Sequence, residues 1–399
     1  MRSSSLAAVL TSCALALVGC EKKESAPSPA SGGTAAAPAP GGTPGVSGDT
    51  ILLGEVGSLT GSEATFGIST RNAIELAINE VNAAGGVKGK KIEVRVYDNQ
   101  SKPEEAANAA NRLINQDNVL LILGEVASTN SIAMATKAQP AKVPMISNAS
   151  TNPKVTQIGD YIFRVCFIDP FQGYVMAKFA HDNLKINKVA VLRDLGSDYS
   201  QGLADVFERK FTEMGGKIVA GETYTKGSTD FRSQLTAIKR AAPDAIYIPG
   251  YYNDIGLIAR QARELGITAK LMGGDGWDSE KLFELGGSAV EGSYFSNHYS
   301  PDDPNPRVQK FIASYKKAYG SVPDSLAALG YDAAMVAVDA IKRAPSFDRA
   351  AIRDAIAQTK NFHGVTGSIT LDDKRNATKS AVVLEVEKGK TKYVDTIAP

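Results

Sequence analysis

Two short stretches carry residues suited to holding a charged small molecule: Gly124-Glu-Val-Ala-Ser-Thr-Asn130 and Ile146-Ser-Asn-Ala-Ser-Thr151. Each is dense in small hydroxyl side chains and follows an apolar run that reads as a buried strand, Val119–Leu123 and Val143–Ile146. The first leads into a helix predicted over Ser131–Ala141. A helix start offers unpaired backbone N–H groups and the positive end of the helix dipole. Ser and Thr add hydroxyl donors there, which makes a cradle for an anion. With no Lys, Arg or long Gly-rich loop in either stretch, a carboxylate suits it better than a polyphosphate. Ordinary N-caps draw on the same residue types, so these stretches alone do not separate a cap from a cradle.

A possible opposite wall is Gly273-Gly274-Asp275-Gly276-Trp277, after a strand predicted over Lys270–Met272. Two glycines let the backbone approach a ligand closely, and Asp275 is a negative acceptor. Facing the hydroxyl cradle, it would complete a site for a zwitterion, carboxylate on one side and ammonium on the other. An Asp in a Gly-rich turn is also common for purely local reasons. Aromatics recur at other strand ends, Phe66, Tyr199, Tyr251-Tyr252 and Trp277, and could wall an apolar pocket. Enzyme signatures are scarce: no Gly-x-Ser-x-Gly elbow, no Gly-Lys-Ser/Thr phosphate loop and no dinucleotide fingerprint. His181, His298 and His363 lie far apart without metal-ligand spacing, so neither a metal nor a cofactor is expected.

These residues are positioned by an alternation of short apolar runs and amphipathic segments. Strands are predicted at Ile51–Val56 and Ile92–Tyr97, and helices at Thr70–Ala83 and Pro103–Asn115, the latter with Pro near its start. After Phe163–Phe167 a second series runs through a helix at Gln172–Asn183 to the strand Lys270–Met272. Three helical segments follow, Arg307–Tyr319, Leu326–Arg343 and Arg349–Thr359, and then β-rich stretches ending in a hairpin around Gly389. Such order implies an α/β protein with two similar parallel-sheet lobes, helices on both faces. In open parallel sheets ligands bind beyond the carboxyl ends of the strands. Ser128, Ala149–Thr151, Tyr251 and Asp275 each come just after a predicted strand, so two facing lobes would form a cleft that closes.

The N-terminus reads as a lipoprotein signal over residues 1–19: Arg2, an apolar run Leu6–Val18, then Leu17-Val18-Gly19-Cys20. Leu10-Thr11-Ser12-Cys13 fits the same pattern but would leave a shorter apolar run, so Cys20 is the expected lipidation site. Residues 20–48 carry Pro, Ala, Gly and Ser with few large apolar side chains and read as a tether spanning on the order of 30 Å. Formal charge is +1 with no block of one sign, which argues against nucleic acid as the main partner. Past the leader only Cys20 and Cys166 remain, so no disulfide framework is expected and Cys166 reads as a small buried hydrophobe.

Several further segments carry a resemblance. They include Gly57-Ser-Leu-Thr-Gly61 with Phe66-Gly67, Ile78-Asn-Glu-Val-Asn82 with Gly85-Gly86-Val87-Lys88-Gly89, and Tyr97-Asp98-Asn99. Phe163-Arg164 with Gln172-Gly173, Tyr199 with Gly202, Gly250-Tyr251, Arg260-Gln-Ala-Arg263 with Gly266, and Gly273–Gly276 continue the series. Over essentially all of Asp49–Thr396 the chain resembles the leucine/isoleucine/valine-binding proteins, solute receptors of branched-chain amino acid ABC transporters with the type I periplasmic-binding fold. The resemblance implies no enzyme. It implies a monomer that binds an amino acid and delivers it to permease and ATPase subunits outside the cytoplasm. It places the carboxylate cradle on Ser128 and Thr151, the carbonyl for the ammonium on Ala149, and the acidic partner on Asp275. Tyr199, Tyr251 and Phe66 fall on the cleft aromatics. Asp275 stands where the family has Glu, one methylene longer, and the small disulfide of some relatives is missing because Asn99–Lys102 and Ala127 carry no Cys.

Lobe one would then be residues 49–167 plus 299–363, and lobe two 168–298 plus 364–399, with a hinge of several crossings. The expected ligand is a neutral apolar L-amino acid of the Leu, Ile or Val type. An aromatic or other small carboxylate or amide is the alternative, because Phe66, the tyrosines and Trp277 could line a larger pocket. A sensor lobe feeding a signalling partner is the alternative role. Lipid anchoring without a membrane-spanning segment favours transport. Glu21 after Cys20 resembles an outer-membrane sorting signal in a Gram-negative cell.

Overall fold

The computed structural model describes residues 43–399, in which the alternation of runs becomes two parallel sheets of matching strand order. The signal segment, Cys20 and most of the tether lie outside the described residues. The first sheet holds β1 (Val46–Ser47), β2 (Thr50–Gly57), β3 (Lys91–Asp98), β4 (Ile122–Leu123), β5 (Met145–Ser147) and β6 (Ile162–Arg164). Between them run α1 (Ala64–Ala83), α2 (Pro103–Asn115), α3 (Ser128–Ala138) and the short α4 (Lys154–Gln157). β2 lies between β3 and β4, followed by β5 and β6, all parallel.

The second sheet repeats that plan. After α5 (Asp169–Lys178) come β7 (Lys188–Asp194), α6 (Asp198–Glu213), β8 (Lys217–Tyr224), α7 (Arg232–Ala241) and β9 (Ala245–Tyr247). Next are α8 (Tyr252–Glu264), β10 (Lys270–Gly273), α9 (Glu280–Gly286) and β11 (Tyr294–Asn297). β7 lies between β8 and β9, followed by β10 and β11, again parallel. In both sheets the order reverses at the first parallel strand, and a crevice opens beyond the strand ends at such a reversal.

Helices α10 (Pro306–Tyr319), α11 (Ser325–Arg343) and α12 (Arg349–Ala357) follow, with α10 and α11 packed on α1 of the first sheet. A small antiparallel sheet, β12 (Phe362–Gly364), β13 (Gly367–Leu371) and β14 (Ala377–Thr378), leads on. The hairpin of β15 (Ala381–Glu387) and β16 (Lys390–Ile397) then extends the second sheet beside β11. The chain therefore passes between the sheets after β6, after β11 and ahead of β15. Among the described residues no helix is long and apolar enough to cross a membrane, and Cys166 is buried and free.

Local chemistry accounts for most element ends. α2 begins on Pro103, carries Glu104 and Glu105 in its first turn and Arg112 in its last, and buries Ala106, Ala109, Ala110 and Leu113 along one face. α3 spans Ser128–Ala138, three residues earlier than the predicted Ser131–Ala141. Pro140 cannot continue the helical ladder, and the Ser128-Thr129-Asn130 run that reads as a capping loop is itself the first turn. α1 likewise starts at Ala64, not Thr70, and the helix predicted over Gln172–Asn183 starts at Asp169 and ends in a π-helical turn, Phe179–Asn183. The stretch read as tether up to Gly48 needs correcting at its end. Val46 and Ser47 pair with Ile51 and Thr50 across a turn at Gly48, which has φ 51°, so the ordered chain reaches back past that glycine.

Candidate ligand-binding site

The strand ends of both sheets converge on a narrow cavity of about 240 Å³, counting all the space between its walls. Phe66, Ser128, Ala149, Thr151, Tyr199, Tyr251 and Asp275, seven of the eight residues singled out from the sequence, line it together with Val126, Gly276 and Leu326.

On the first wall the hydroxyl residues divide into two groups. Ser131, Ser147 and Ser150 stitch the two turns together: Ser147 Oγ donates to Glu125 O at 2.8 Å, and Ser150 Oγ lies 2.9 Å from Val126 O and 2.7 Å from Ser131 Oγ. Beneath them the buried Glu125 carboxylate accepts from Ser58 Oγ, Asn99 Nδ2 and Ala127 N at 2.8, 2.9 and 2.6 Å, which fixes the start of α3. Ser128 and Thr151 are left for the cavity. Ser128 Oγ accepts the Asn152 N–H at 3.2 Å, so its own proton remains to be given. Ser128 is also the first residue of α3, where backbone N–H groups lack a helical acceptor. Thr151 Oγ1 is buried with no hydrogen-bond partner among the described residues. Behind it sits Asp169, whose carboxyl is pushed up to about 8 by burial, the Thr151 hydroxyl opposing.

On the second wall Asp275 begins a single 3₁₀ turn after β10 and is 4% exposed. Its Oδ1 accepts from Gln172 Nε2 at 2.8 Å and from the Tyr199 hydroxyl at 2.9 Å, and its Oδ2 pairs with His298 Nε2 at 2.9 Å. Burial holds the Tyr199 phenol well above its ordinary value, so it stays a donor. An aromatic column joins the walls: Tyr199 stacks on Tyr251 at 5.3 Å, and Phe66 meets Tyr251 edge-on at 5.7 Å.

Two readings from the sequence change here. Trp277 does not line the cavity; it is fully buried behind it, donating Nε1–H to Ile248 O at 2.9 Å and lying near Phe295. Gly273 and Gly274 serve the protein's own packing: a Cβ on the first would sit 2.1 Å from the Trp277 indole, and on the second 2.4 Å from the Tyr199 hydroxyl. Gln172 and His298, which hold Asp275, carry no spacing signal in the sequence, each being a lone residue of its type there. Leu326 arrives from α11, remote in sequence, and Val126 lies inside the first stretch but is hidden among its hydroxyl residues.

Contacts between loops of the two sheets surround the cavity. Lys226 Nζ pairs with the buried Glu63 carboxylate and donates to Ser101 O at 3.1 Å. The Tyr252 hydroxyl donates to Ser62 O at 2.9 Å, and Asn152 Nδ2 donates to Asp198 O at 2.7 Å. This arrangement can seal a small polar molecule between a hydroxyl wall and a carboxylate wall.

The chain is similar to known proteins along most of its length. Residues 50–391 match the periplasmic binding protein family. A Leu/Ile/Val-binding protein homolog of Brucella abortus is 33% identical over 349 residues, covering 86% of this chain and 93% of that one. The crystal structure of a leucine-binding protein from Thermotoga maritima is 46% identical, with a TM-score of 0.84 over 87% of this chain and 99% of that one. A solute-binding protein of an ABC transporter from Rhodopseudomonas palustris, in complex with 3,4-dihydroxybenzoic acid, is 29% identical with a TM-score of 0.79, covering 88% and 97%.

Proposed function

This chain belongs to the leucine/isoleucine/valine-binding family of periplasmic binding proteins, extracytoplasmic receptors of ABC importers and not enzymes, and from that premise we propose that its own ligand is a neutral apolar L-amino acid. In this reading Ser128 and Thr151 hold the α-carboxylate, the Ala149 carbonyl and Asp275 receive the ammonium, and Phe66, Tyr199 and Tyr251 enclose the side chain. The observation that carries it is the pairing of spare hydroxyl protons on one wall with a carboxylate on the other that no Lys or Arg neutralises among the described residues. Apolar side-chain surface shut into the cleft gains about 25 cal/mol per Å² removed from water. Closure needs only a ligand that binds the closed arrangement better. The lobes would be residues 46–167 with 299–363 and residues 168–298 with 364–399.

Asp275→Ala is expected to weaken L-leucine binding by roughly ten- to a hundred-fold, the scale of a charge-assisted hydrogen bond. Binding of the matching deaminated acid should change far less. Equal losses for both in calorimetry would sink the zwitterion assignment. An aromatic carboxylate is the second reading, favoured by the Phe66–Tyr251–Tyr199 column and by the dihydroxybenzoate-binding relative. It leaves Asp275 uncompensated, which is why the amino acid is preferred. A lipid anchor at Cys20, supported by Leu17–Cys20, would tether a monomer close to its permease. Cys20→Ser should then move the protein from the detergent phase to the aqueous phase on partitioning; unchanged partitioning would remove the anchor.

A further inference from the structure

Asp275 meets the cavity with one oxygen filled and the other half free. Oδ1 already accepts two hydrogen bonds, from Gln172 and Tyr199. Gln172 is itself fixed, its Nε2 reaching Ser296 Oγ at 3.0 Å. Oδ2 has a single protein partner, His298 Nε2 at 2.9 Å. That bond decides where the imidazole carries its proton. A carboxylate only accepts, so Nε2 is the protonated nitrogen. Nδ1 is buried without a hydrogen-bond partner among the described residues, and the whole side chain is 0% exposed. A second proton on Nδ1 would leave a cationic N–H unpaired in the interior, which is costly. Phe167 stacks on the ring at 3.7 Å and covers one of its faces.

The imidazole therefore gives Asp275 a hydrogen bond and no charge. It also sits where the chain crosses between the two sheets. His298 is the first residue beyond β11, where the chain leaves the second sheet, and Phe167 lies just after β6, where the chain enters it.

We infer that His298 is a positioning residue for ligand selection: it aims Asp275 Oδ2 at the cleft while leaving that carboxylate's charge for an ammonium on the ligand. The inference rests on the amino-acid reading above and names the residue that enforces it. A ligand without an ammonium must then shut an uncompensated carboxylate into the closed cleft, and is rejected for that reason.

The same arrangement makes selection depend on pH. Burial pushes the imidazole below its ordinary value; Asp275 and Asp278 pull it upward, and Lys379 adds to the lowering. Above that range the ring is neutral and selection is strongest. As pH falls through it, the imidazolium compensates Asp275 from inside the protein. It then repels a ligand ammonium and removes the penalty on a ligand lacking one.

The test is calorimetry of the soluble protein with L-leucine and 4-methyl-2-oxopentanoate, a carboxylate that stays ionised, from about pH 8 down to the lowest pH at which the fold persists. Wild type is expected to prefer leucine at the upper end and to lose about ten-fold or more of that preference once falling pH has protonated the imidazole. His298→Gln keeps an N–H donor that cannot be charged, so the preference should persist and its pH profile flatten. His298→Phe fills the space but donates nothing, and should weaken leucine binding by about ten-fold at the upper end. A Gln variant that retains the wild-type profile, or a Phe variant that binds leucine unchanged, overturns the assignment. Wild type that fails to prefer leucine at the upper end overturns the amino-acid reading itself, a different failure.

Discussion

At the scale of single residues the site works by what its neighbours leave free. Thr151 and Ser150 are adjacent and both buried, yet Ser150 is consumed by Val126 O and Ser131 Oγ while Thr151 Oγ1 has no partner among the described residues. The proposed carboxylate contact therefore belongs to Thr151. Thr151→Val keeps the shape and removes the hydroxyl. It should weaken L-leucine and 4-methyl-2-oxopentanoate alike, by roughly ten-fold, because both present the same carboxylate. Asp275→Ala should separate the two ligands, so calorimetry on both variants tells the walls apart. A Thr151→Val loss confined to the amino acid would move the carboxylate elsewhere.

Elements were legible in the sequence wherever one physical signal acted alone. α2 ends where Pro103 and its buried alanine face say it should, and the alternation of runs is enough to give two parallel sheets. The misplacements come where signals compete. Ser, Thr and Asn favour caps, so the first turn of α3 reads as a loop until its position against β5 is known; that turn puts Ser128 at the cavity. α1 reaches back to Ala64 because Gly67 lets it lie against the loop after β2: a Cβ there would sit 2.1 Å from Ser58 O. This contact sets Phe66 at the cavity edge, and no periodicity records it. β1 is two residues in a Pro- and Gly-rich stretch, visible only through its pairing with β2. Within the site, hydroxyl-rich turns and an acidic loop could be read one by one. The donors Gln172 and His298 could not, because each matters only through the carboxylate that three-dimensional packing brings to it. Trp277 misled for the converse reason: an aromatic beside a site residue can point into the core.

For the whole molecule the question is what holds the two sheets' loops together around the cavity. The Lys226–Glu63 pair is asymmetric: the Lys side chain is 34% exposed, while that of Glu63 is 1% exposed. Fully exposed pairs contribute little, but removing Lys226 strands a buried carboxylate. Burial already pushes Glu63 up to about 7 against the pull of Lys226. If Glu63 meets water when the cleft opens, its carboxyl returns there to an ordinary value. In Lys226→Ala closing would then require proton uptake, and the cost of closing would rise with pH from the ordinary carboxyl range up through neutrality. The variant is expected to bind L-leucine and 4-methyl-2-oxopentanoate about ten-fold more weakly, by the same factor, with a loss that grows with pH. A population shift acts on every ligand of the closed state equally. Adding Glu63→Gln removes the stranded charge and should restore most of the affinity and flatten the pH dependence, while small-angle scattering of Lys226→Ala without ligand should show a more open particle. A loss restricted to one ligand, or a double variant no better than the single, would mean that this pair does not govern closure.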